Sequence, residues 1–316
     1  MAEGTVAVLA GGLSHERDIS LRSGRRLSVA LREQGLTVQE WDTDASLLSR
    51  LRDERPDAAI IALHGGEGEN GSVQTVLEML GVPFVGTSSE GCRRAWDKPI
   101  AKALVAEHDH TTPDWVALPH STFRELGAQT VLDAMVDTLG LPLILKPDQG
   151  GSALGAQVVR EAGGLPAAMV GSFAYGDAVL AERFVDGVEV AVTVVERDGG
   201  PEALPAVEIV PEGGVYDYTA RYTAGLTDFF APARLSDETA KAVGDLAVGA
   251  HRLLGLRDIS RTDAIVAADG SVHFLEVNSS PGLTETSTVP MAMEAAGTSL
   301  GVVFTDLVER AVRRGT

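Results

Sequence analysis

The chain has 316 residues, enough for two or three compact units that each bury a core of their own. Its 26 lysines and arginines against 45 aspartates and glutamates give a formal net charge of −19, which disfavours binding to nucleic acid or to an anionic membrane. A single cysteine, no apolar run of membrane-spanning length and a start without the cations of a signal peptide lead us to expect a cytoplasmic protein.

The first ninety residues alternate strands with helices, which is typical of a parallel sheet. Helices are predicted from the first glycine-rich turn to about residue 34, shortly before residue 58, and at 72–80. The predicted strands are 5–9, 37–41, 58–63 and 83–85. We therefore expect an N-terminal α/β domain over residues 1–90.

The rest of the chain changes from a helical to a β-rich pattern after about residue 142. Its predicted helices are 93–108, 123–139, 238–254 and 300–313. Its predicted strands are 143–146, 156–159, 178–183 and 189–196, followed by a hairpin over 262–277. The segment 211–233 has few periodic features and several aromatic residues, and loops this long are generally functional. It is a candidate lid.

The last predicted hairpin brings charged side chains together. Asp269-Gly270 between two apolar runs is a strong signal for a two-residue turn. Counting outwards from that turn puts Asp263 opposite Glu276 and Arg261 opposite Asn278. Directly opposed residues share a face and lie about 5 Å apart. Two carboxylates so close destabilise a sheet unless a cation neutralises them.

A divalent cation between the strands meets this requirement. Oxygen ligands from Asp263, Glu276 and Asn278 suit Mg²⁺ or Mn²⁺ rather than zinc, and Mg²⁺ commonly takes nucleotide phosphates as further ligands. The same count puts Ile265 and Phe274 on this face, where they predict an apolar floor for an adenine ring. The alternative interpretation is a solvated outer face with ordinary surface charges.

Two glycine-rich segments are further candidates. Lys146, one of only four lysines, enters the turn KPDQGGSALG, in which backbone N–H groups can approach phosphate oxygens closely, although an ordinary hairpin turn is equally compatible. Residues 66–71 formally satisfy the dinucleotide pattern G-x-G-x-x-G of an oxidoreductase. The carboxylates of Glu67 and Glu69 would oppose a pyrophosphate, which argues against that reading.

Glu16 and His64 follow predicted strands of the first domain. Parallel sheets bind ligands beyond the carboxyl ends of their strands, so Glu16 is a candidate partner for an ammonium group. Stabilisation of a helix N-terminus is the alternative role. His64 has no metal-ligand spacing to another His or Cys, which argues against zinc.

Seven short motifs follow one another along the chain: GGLSHERDIS at 11–20, HGGEGENG at 64–71, DK at 97–98, LKP at 145–147 with GS at 151–152, YDYTARY at 216–222, RTD at 261–263 and EVNSSPG at 276–282. In this order they resemble the D-alanine–D-alanine ligases, over nearly the whole chain. The resemblance implies a mixed α/β and α+β architecture, the ATP-grasp fold. Its parts are the N-terminal domain at 1–90, a central subdomain at 91–183, and a C-terminal subdomain at 184–316 that carries the lid and the metal site.

The resemblance also implies a nucleotide site and a metal site. The residues it implies for ATP are Lys98 and Lys146 at the phosphates, Glu182 and the backbone of Val185 at the adenine edge, Glu189 at the ribose, and Arg183, Arg221 and Phe274 nearby. Two Mg²⁺ or Mn²⁺ ions would be bound by Asp263, Glu276 and Asn278.

For the amino-acid substrates the resemblance implies a second set. Glu16 would hold the ammonium group of the first D-alanine in a hydrogen-bond chain with Ser152 and Tyr222, and His64 would lie beside it. The residues implied at the second substrate are Ser287 at its carboxylate, Thr288 next to it, and Arg261 and the Gly282 N–H at the developing oxyanion.

The implied activity is ATP-dependent ligation of two D-alanines through a D-alanyl phosphate, by a homodimer, for peptidoglycan precursor synthesis. Asn70 stands where the family usually has Asp, and Arg183 and Arg221 where it often has Lys. Thr288 replaces a commonly apolar residue. Thr288 and Arg221 leave open another acceptor, such as D-serine or a secondary-metabolite amino acid, while Tyr222 favours an amino acid over a hydroxy acid. A nucleotide-binding protein without ligase activity is a further alternative.

Overall fold

The computed structural model describes residues 4–223 and 225–315, with the side chain of Tyr222 outside the description. Three β-sheets follow one another along the chain, one parallel and two antiparallel, with helices packed on them. The mixed α/β class expected from the sequence is confirmed.

The first sheet is entirely parallel, as the alternation of strands and helices predicts. Its strands lie in the order β2-β1-β3-β4. They are β1 (Thr5–Ala10), β2 (Thr37–Asp42), β3 (Ala58–Ile61) and β4 (Phe84–Val85), connected by helices α1 (Arg17–Glu33), α2 (Leu47–Glu54) and α3 (Ser72–Leu80). The loops after β1 and β3 leave the same edge of the sheet and carry Glu16 and His64.

The central sheet is antiparallel, with the order β5-β8-β6-β7. Its strands are β5 (Trp115–Pro119), β6 (Leu143–Pro147), β7 (Gln157–Val159) and β8 (Ala178–Arg183). Helices α6 (His120–Leu126), α7 (Ala128–Leu139) and α8 (Leu165–Phe173) enclose an apolar core that includes Met135 and Leu145. The predicted hairpin around the glycine-rich turn is confirmed as β6 and β7.

The third sheet has six strands in the order β12-β11-β9-β13-β14, with β10 paired to β9. Its strands are β9 (Gly187–Arg197), β10 (Gly200–Ala203), β11 (Val207–Pro211), β12 (Thr227–Phe230), β13 (Ile259–Ala267) and β14 (Val272–Asn278). The helices of this half are α4 (Ser89–Trp96), α5 (Lys98–Ala106), α9 (Tyr218–Tyr222), α10 (Asp237–Leu253), α11 (Thr288–Ala295) and α12 (Leu300–Arg314). Residues of α5 and α10 share a core with β9, β13 and β14.

A buried ion-pair cluster ties the first sheet to the third. Asp258, just before β13, is fully buried and accepts hydrogen bonds from the backbone N–H of Gly86 at 2.8 Å and from Arg314 at 2.9 and 3.0 Å. Arg314 also donates to the Phe84 carbonyl at 2.9 Å. Loss of Arg314 would deprive the fully buried Asp258 of its closest cation, so this contact fixes the two sheets relative to each other.

Two helices predicted as continuous are each divided. The predicted helix 93–108 is wrong because Asp97 is extended (φ −87°, ψ 99°) and its side chain accepts a hydrogen bond from the N–H of Ile100, which starts α5. The predicted helix 123–139 begins earlier and breaks at Gly127, whose φ of +91° lies outside the helical region.

The candidate lid contains secondary structure that its sequence does not predict. Within 211–233 lie the short helix α9, capped by the Asp217 side chain on the Ala220 N–H, and strand β12, which extends the third sheet. Helices α8 and α11 and strands β5, β10 and β11 are further elements absent from the prediction.

No single helix in the described parts of the chain has both the length and the apolar composition to cross a bilayer. Only α11 and α12 taken together pass on length and composition, and they are bent by 99° from each other.

Candidate active site

Two adjoining cavities lie where the three sheets meet. The larger, of about 440 Å³, is lined by the glycine-rich turn, the end of β8, the start of β9 and the β13–β14 hairpin. This volume falls within the usual range for small-molecule sites. The smaller cavity lies among the loop after β1, the loop after β3 and the segment 282–288. Arg221 and Asp263 line both cavities.

The two cavities bring together nearly all of the residues predicted for the site. The larger is lined by Lys98, Lys146, Glu182, Arg183, Val185, Glu189, Arg221, Asp263 and Glu276. The smaller is lined by Glu16, His64, Ser152, Arg221, Arg261, Asp263, Asn278, Gly282, Ser287 and Thr288. Phe274 lies elsewhere, and the side chain of Tyr222 lies outside the described residues. The individual roles of these residues stay predictions.

The opposed carboxylates of the hairpin have the predicted register. Asp263 pairs with Glu276 and Arg261 with Asn278. The Nε and Nη2 atoms of Arg261 each donate to one carboxylate oxygen of Asp263 at 2.7 Å. Burial alone would lower the pKa of Arg261, but the carboxylate of Asp263 raises it. A permanently charged guanidinium is therefore held beside the carboxylate pair.

The predicted position of Phe274 on this face is wrong because the turn is longer than the predicted two residues. Ala267 rather than Ala268 lies opposite Ser271, so Phe274 pairs with Ala264 instead of Ile265. A β-bulge at Leu275 then shifts the register between Asp263 and Ala264, which restores the predicted pairing of Asp263 with Glu276. A bulge adds one residue to a strand and reverses the face of those beyond it. Phe274 is fully buried in the core beneath the hairpin, and Leu275 lines the cavity with Ile265 instead.

Cations surround the second carboxylate. Lys98 Nζ lies 3.7 Å from Glu276 Oε2 and donates to the Gly150 carbonyl at 2.7 Å. Lys146 lies on the facing sheet, with its Nζ 2.7 Å from Glu182 Oε2. Burial raises the pKa of Glu276, but the positive charges, led by Lys98 and Lys146, outweigh this effect and lower it to about 2. Glu276 is therefore ionised at neutral pH.

The glycine-rich turn of the central sheet reaches across to Glu16. Ser152 donates a short hydrogen bond to Glu16 Oε1, and its backbone is left-handed, with φ of +55°. Such a conformation is uncommon for a residue other than glycine and marks a constrained loop. Gly65 has φ of +68°, and a Cβ there would clash with Glu16 Oε2, so only glycine fits beside this carboxylate.

His64 is held by the protein through both ring nitrogens. Nδ1 lies 3.0 Å from the Ser280 carbonyl and Nε2 lies 2.8 Å from Ser23 Oγ. Burial lowers its pKa, which favours the neutral ring. Since both nitrogens are occupied, the imidazole can contact a ligand in the smaller cavity only through its ring carbon atoms. The hydrogen bond to Ser280 also fixes the loop that begins at Ser279.

The start of α11 supplies hydroxyl groups to the smaller cavity. Ser287 Oγ lies 3.1 Å from the backbone N of Thr284 and 2.9 Å from its Oγ1. A Cβ on Gly282 would lie 2.8 Å from Ser287 Oγ, so the glycine permits this close approach. Thr288 is 6 % exposed, and its Oγ1 is buried with no hydrogen-bond partner among the described residues.

Sequence reasoning missed Glu69, which lines the smaller cavity. Glu69 lies in the segment 66–71 that matches the dinucleotide pattern, and its Oε1 accepts a hydrogen bond at 2.8 Å from the N–H of Gly65, just before that segment. Burial, reinforced by Glu16, raises the pKa of Glu69 to about 8. Its position after β3 was the available signal, since loops there line ligand sites in parallel sheets.

The raised pKa of Glu69 predicts a pH-dependent stability. Between its ordinary value near 4.5 and about 8, the folded protein retains a proton that the unfolded chain releases, so the free energy of unfolding falls as pH rises through this window and levels off above it. Urea unfolding of the ligand-free protein from pH 5 to 9 should show this decline, and Glu69→Gln should make it shallower but not abolish it, since the raised pKa of Glu189, about 7, contributes in the same direction. The exposed neighbour Glu67 provides the control Glu67→Gln, for which we expect the wild-type slope. An unchanged slope in Glu69→Gln would contradict the assignment.

Comparison with known proteins agrees with this architecture. Residues 104–313 match the family model "D-ala D-ala ligase C-terminus". The chain is 41 % identical over 305 residues to a D-alanine–D-alanine ligase of Anaeromyxobacter sp. (strain K), covering 96 % of this chain and 94 % of that protein. It is 39 % identical to a D-alanine–D-alanine ligase of Moorella thermoacetica, covering 97 % of each.

Solved structures agree as well. A D-alanine–D-alanine ligase from Bacillus anthracis complexed with ATP matches with a TM-score of 0.82 and 27 % identity, covering 98 % of this chain and 97 % of that chain. The VanG D-Ala:D-Ser ligase from Enterococcus faecalis matches with a TM-score of 0.83 and 26 % identity, covering 98 % and 99 %.

The fold and the cleft between the second and third sheets define an ATP-grasp protein. Within that class, the chain belongs to the D-alanine–D-alanine ligase family.

Proposed function

We propose that the protein joins two D-alanines into D-alanyl-D-alanine at the expense of ATP. The observation that carries the proposal is that two cavities, one of nucleotide size and one lined by Glu16 and Ser287, adjoin at Asp263 and Arg221. A phosphoryl group in one cavity can therefore meet a carboxylate in the other. Family membership at 41 % identity supports the same activity.

ATP occupies the larger cavity. Lys98 and Lys146 bind its phosphates, since both line this cavity and both lie close enough to Glu276 to lower the pKa of its carboxyl. Ile265 and Leu275 provide the apolar floor for adenine, next to the Val185 backbone. Glu189 binds the ribose, and burial followed by the nearby charge of Asp263 raises the pKa of this carboxyl to about 7.

The residues on the hairpin fit a divalent cation. Asp263 and Glu276 oppose each other with Asn278 beside them, an all-oxygen donor set of the kind that Mg²⁺ or Mn²⁺ prefers. The described residues contain no group of three His, Cys, Asp or Glu side chains that could hold a metal by themselves, so Asp263, Glu276 and Asn278 would hold the ions together with the bound nucleotide. The two ions that family membership implies would supply charge neutralisation at the transferred phosphoryl group.

The ammonium group of the first D-alanine pairs with the carboxylate of Glu16. Ser152 and the turn at Gly65 hold this carboxylate in place. The carboxylate oxygen of the D-alanine attacks the γ-phosphorus, the bond to the bridging oxygen breaks, and ADP leaves D-alanyl phosphate behind. Lys98 and Lys146 stabilise the charge that moves onto the leaving oxygens.

The second D-alanine binds with its carboxylate on Ser287 and presents a free amine to the acyl carbon. A carbon–nitrogen bond forms, the tetrahedral oxyanion is stabilised by Arg261 and the Gly282 N–H, and inorganic phosphate leaves as the amine loses a proton. Acyl phosphates hydrolyse, so water must be excluded. The lid segment 211–233, which lines both cavities through Tyr216 and Arg221, performs this exclusion.

The proposal is tested by phosphate release from ATP in the presence of each D- and L-amino acid, with identification of the product. We expect release with D-alanine alone and formation of the dipeptide. ATP binding without turnover would favour a non-catalytic nucleotide-binding protein, and tight NADH binding, followed by its fluorescence, would favour the oxidoreductase alternative.

A second candidate function is ligation of D-alanine to a D-amino acid that bears a hydroxyl, such as D-serine. The buried and unpartnered Oγ1 of Thr288 favours it, because such a group is stabilised when a ligand supplies the missing hydrogen bond. The VanG D-Ala:D-Ser ligase among the similar structures supports it further.

D-Serine and D-2-aminobutyrate test this second candidate, because they are close in size and differ in the hydroxyl. With D-alanine as first substrate, we expect about 3–10-fold preference for D-serine as acceptor, the equivalent of one net hydrogen bond, and loss of that preference in Thr288→Val. Thr305→Val is the control, since Thr305 also has a buried unpartnered hydroxyl but lies outside both cavities. A preference that survives Thr288→Val would refute this role.

We also infer from family membership that the dipeptide enters peptidoglycan precursor synthesis in the cytoplasm and that the enzyme is a homodimer. Light scattering should then give twice the chain mass of 33.1 kDa.

A further inference from the structure

Lys102 on α5 is a fully buried lysine that the mechanism above does not use. Its Nζ lies 2.6 Å from Glu182 Oε1 and donates to Thr112 Oγ1 at 2.5 Å. A buried ammonium group is costly unless it is paired and hydrogen-bonded. The contacts with Glu182 and Thr112 compensate the cost of burying the ammonium group of Lys102, which lies behind the lining of the nucleotide cleft.

Glu182 is clamped between two lysines. Lys102 contacts one carboxylate oxygen at 2.6 Å, and Lys146 contacts the other at 2.7 Å. Glu182 is 1 % exposed. Burial raises its pKa, but Lys146 and then Lys102 outweigh this effect and lower it, so the carboxylate stays ionised. The cluster of Lys102, Glu182 and Lys146 therefore contains two cationic side chains and one anionic side chain.

The two lysines differ in what they can reach. Lys146 lines the cavity, whereas Lys102 lies behind Glu182, outside the residues that line the cleft. Without Lys102, Glu182 would have Lys146 as its only close cation among the described residues. The ammonium of Lys146 would then be held by Glu182 and be less available to an anionic ligand in the cleft.

We propose that Lys102 is a positioning residue for the nucleotide site: it neutralises Glu182 from behind and thereby leaves the charge of Lys146 free for a nucleotide phosphate. The inference rests on the proposed ATP site and deepens it. Lys102 itself touches no substrate.

A second contact of Lys102 reaches the metal-site strand. Thr112 Oγ1, which accepts from Lys102, donates to the Phe274 carbonyl at 2.8 Å, and the Phe274 N–H donates to the Thr111 carbonyl at 2.8 Å. Phe274 lies two residues from Glu276 on β14. Lys102 therefore contacts the central sheet through Glu182 and the third sheet through Thr112. These two contacts fix the position of its ammonium group relative to Glu182.

The test measures ATP binding directly, by calorimetry with Mg-ATP and no amino acid, together with steady-state KM values. For Lys102→Met we expect Kd and KM for ATP to rise at least 10-fold, with KM for D-alanine changed less than 3-fold. Lys102→Arg keeps the charge and should stay within 3-fold of wild type for ATP. The exposed Lys241, paired with Asp245, provides the control Lys241→Met, expected to match wild type.

A double variant separates positioning from mere packing. If Lys102 acts by neutralising Glu182, Lys102→Met should have less than a 2-fold further effect on ATP affinity in a Glu182→Gln background. An equal loss of ATP affinity in both backgrounds, an unchanged Kd in Lys102→Met, or an equal rise of both KM values would each overturn the proposal. The binding measurement needs no turnover, so failure of D-alanine ligation would count against the proposed function and not against this inference.

Discussion

Replacing Arg261 by methionine is expected to lower kcat/KM for dipeptide formation by about 10²–10³-fold, the usual cost of losing one oxyanion donor. Arg261 is buried, and its guanidinium donates to both oxygens of Asp263. Its removal takes away the cation proposed for the tetrahedral intermediate and leaves Asp263 without its bidentate partner.

The two half-reactions distinguish these effects. Hydroxylamine traps D-alanyl phosphate as a hydroxamate, so the ratio of dipeptide to hydroxamate reports the second step alone. We expect this ratio to fall in Arg261→Met. Arg310→Met is the matched control, because Arg310 is similarly buried and paired with Glu196 but lies outside the cavities. An unchanged ratio would remove Arg261 from the second step.

Glu276→Gln is expected to lower turnover by about 10²-fold or more at ordinary Mg²⁺ concentration, because a metal ion contributes several kcal/mol to phosphoryl transfer. The Mg²⁺ concentration for half-maximal rate should rise by about 10-fold or more, since one of two carboxylate ligands is lost. A Mg²⁺ titration of phosphate release at saturating ATP measures both quantities.

The control for this variant lies on the same sheet. Glu196 on β9 has a side chain 26 % exposed, against 23 % for Glu276, and pairs with Arg310 away from the cleft. Glu196→Gln should keep the wild-type Mg²⁺ dependence. If Glu276→Gln kept it as well, the metal site would have to be sought elsewhere.

The parts of the fold that could be predicted are those with local signals. The alternation of strands and helices gives the first sheet, and Asp269-Gly270 marks the turn of the last hairpin. That turn is one residue longer than predicted, so the predicted pairing of Asp263 with Glu276 holds only because the bulge at Leu275 restores it. The break before α5 also has a local signal, since Asp97 followed by Pro99 is typical of a helix start.

Other features had no local signal. Phe274 and Leu275 are both apolar, so an alternating pattern reads equally well with either one facing the cleft, and only the packing of Phe274 in the core selects between them. Lys102 and Glu182 are eighty residues apart in sequence, and their contact depends on how α5 docks on the central sheet. The predicted roles of Ser152 and Ser287 came from family resemblance alone, because neither has a local pattern that defines its chemistry. The position of Glu16 after a strand indicated an ammonium partner, but a helix-stabilising role fitted that position equally well.

The bulge at Leu275 also limits how the chain can vary in length. Between the Asp269-Gly270 turn and Glu276, one strand has to supply a core anchor at Phe274 and, one residue beyond the usual alternation, a carboxylate at the cleft. Deleting one residue between the turn and Phe274 would shift the register by one and move the aromatic ring from the core to the cleft face, opposite Ile265. Substitutions that preserve size are compatible with this strand, whereas insertions and deletions are not, so the spacing of these residues is as much a determinant of the site as their identity.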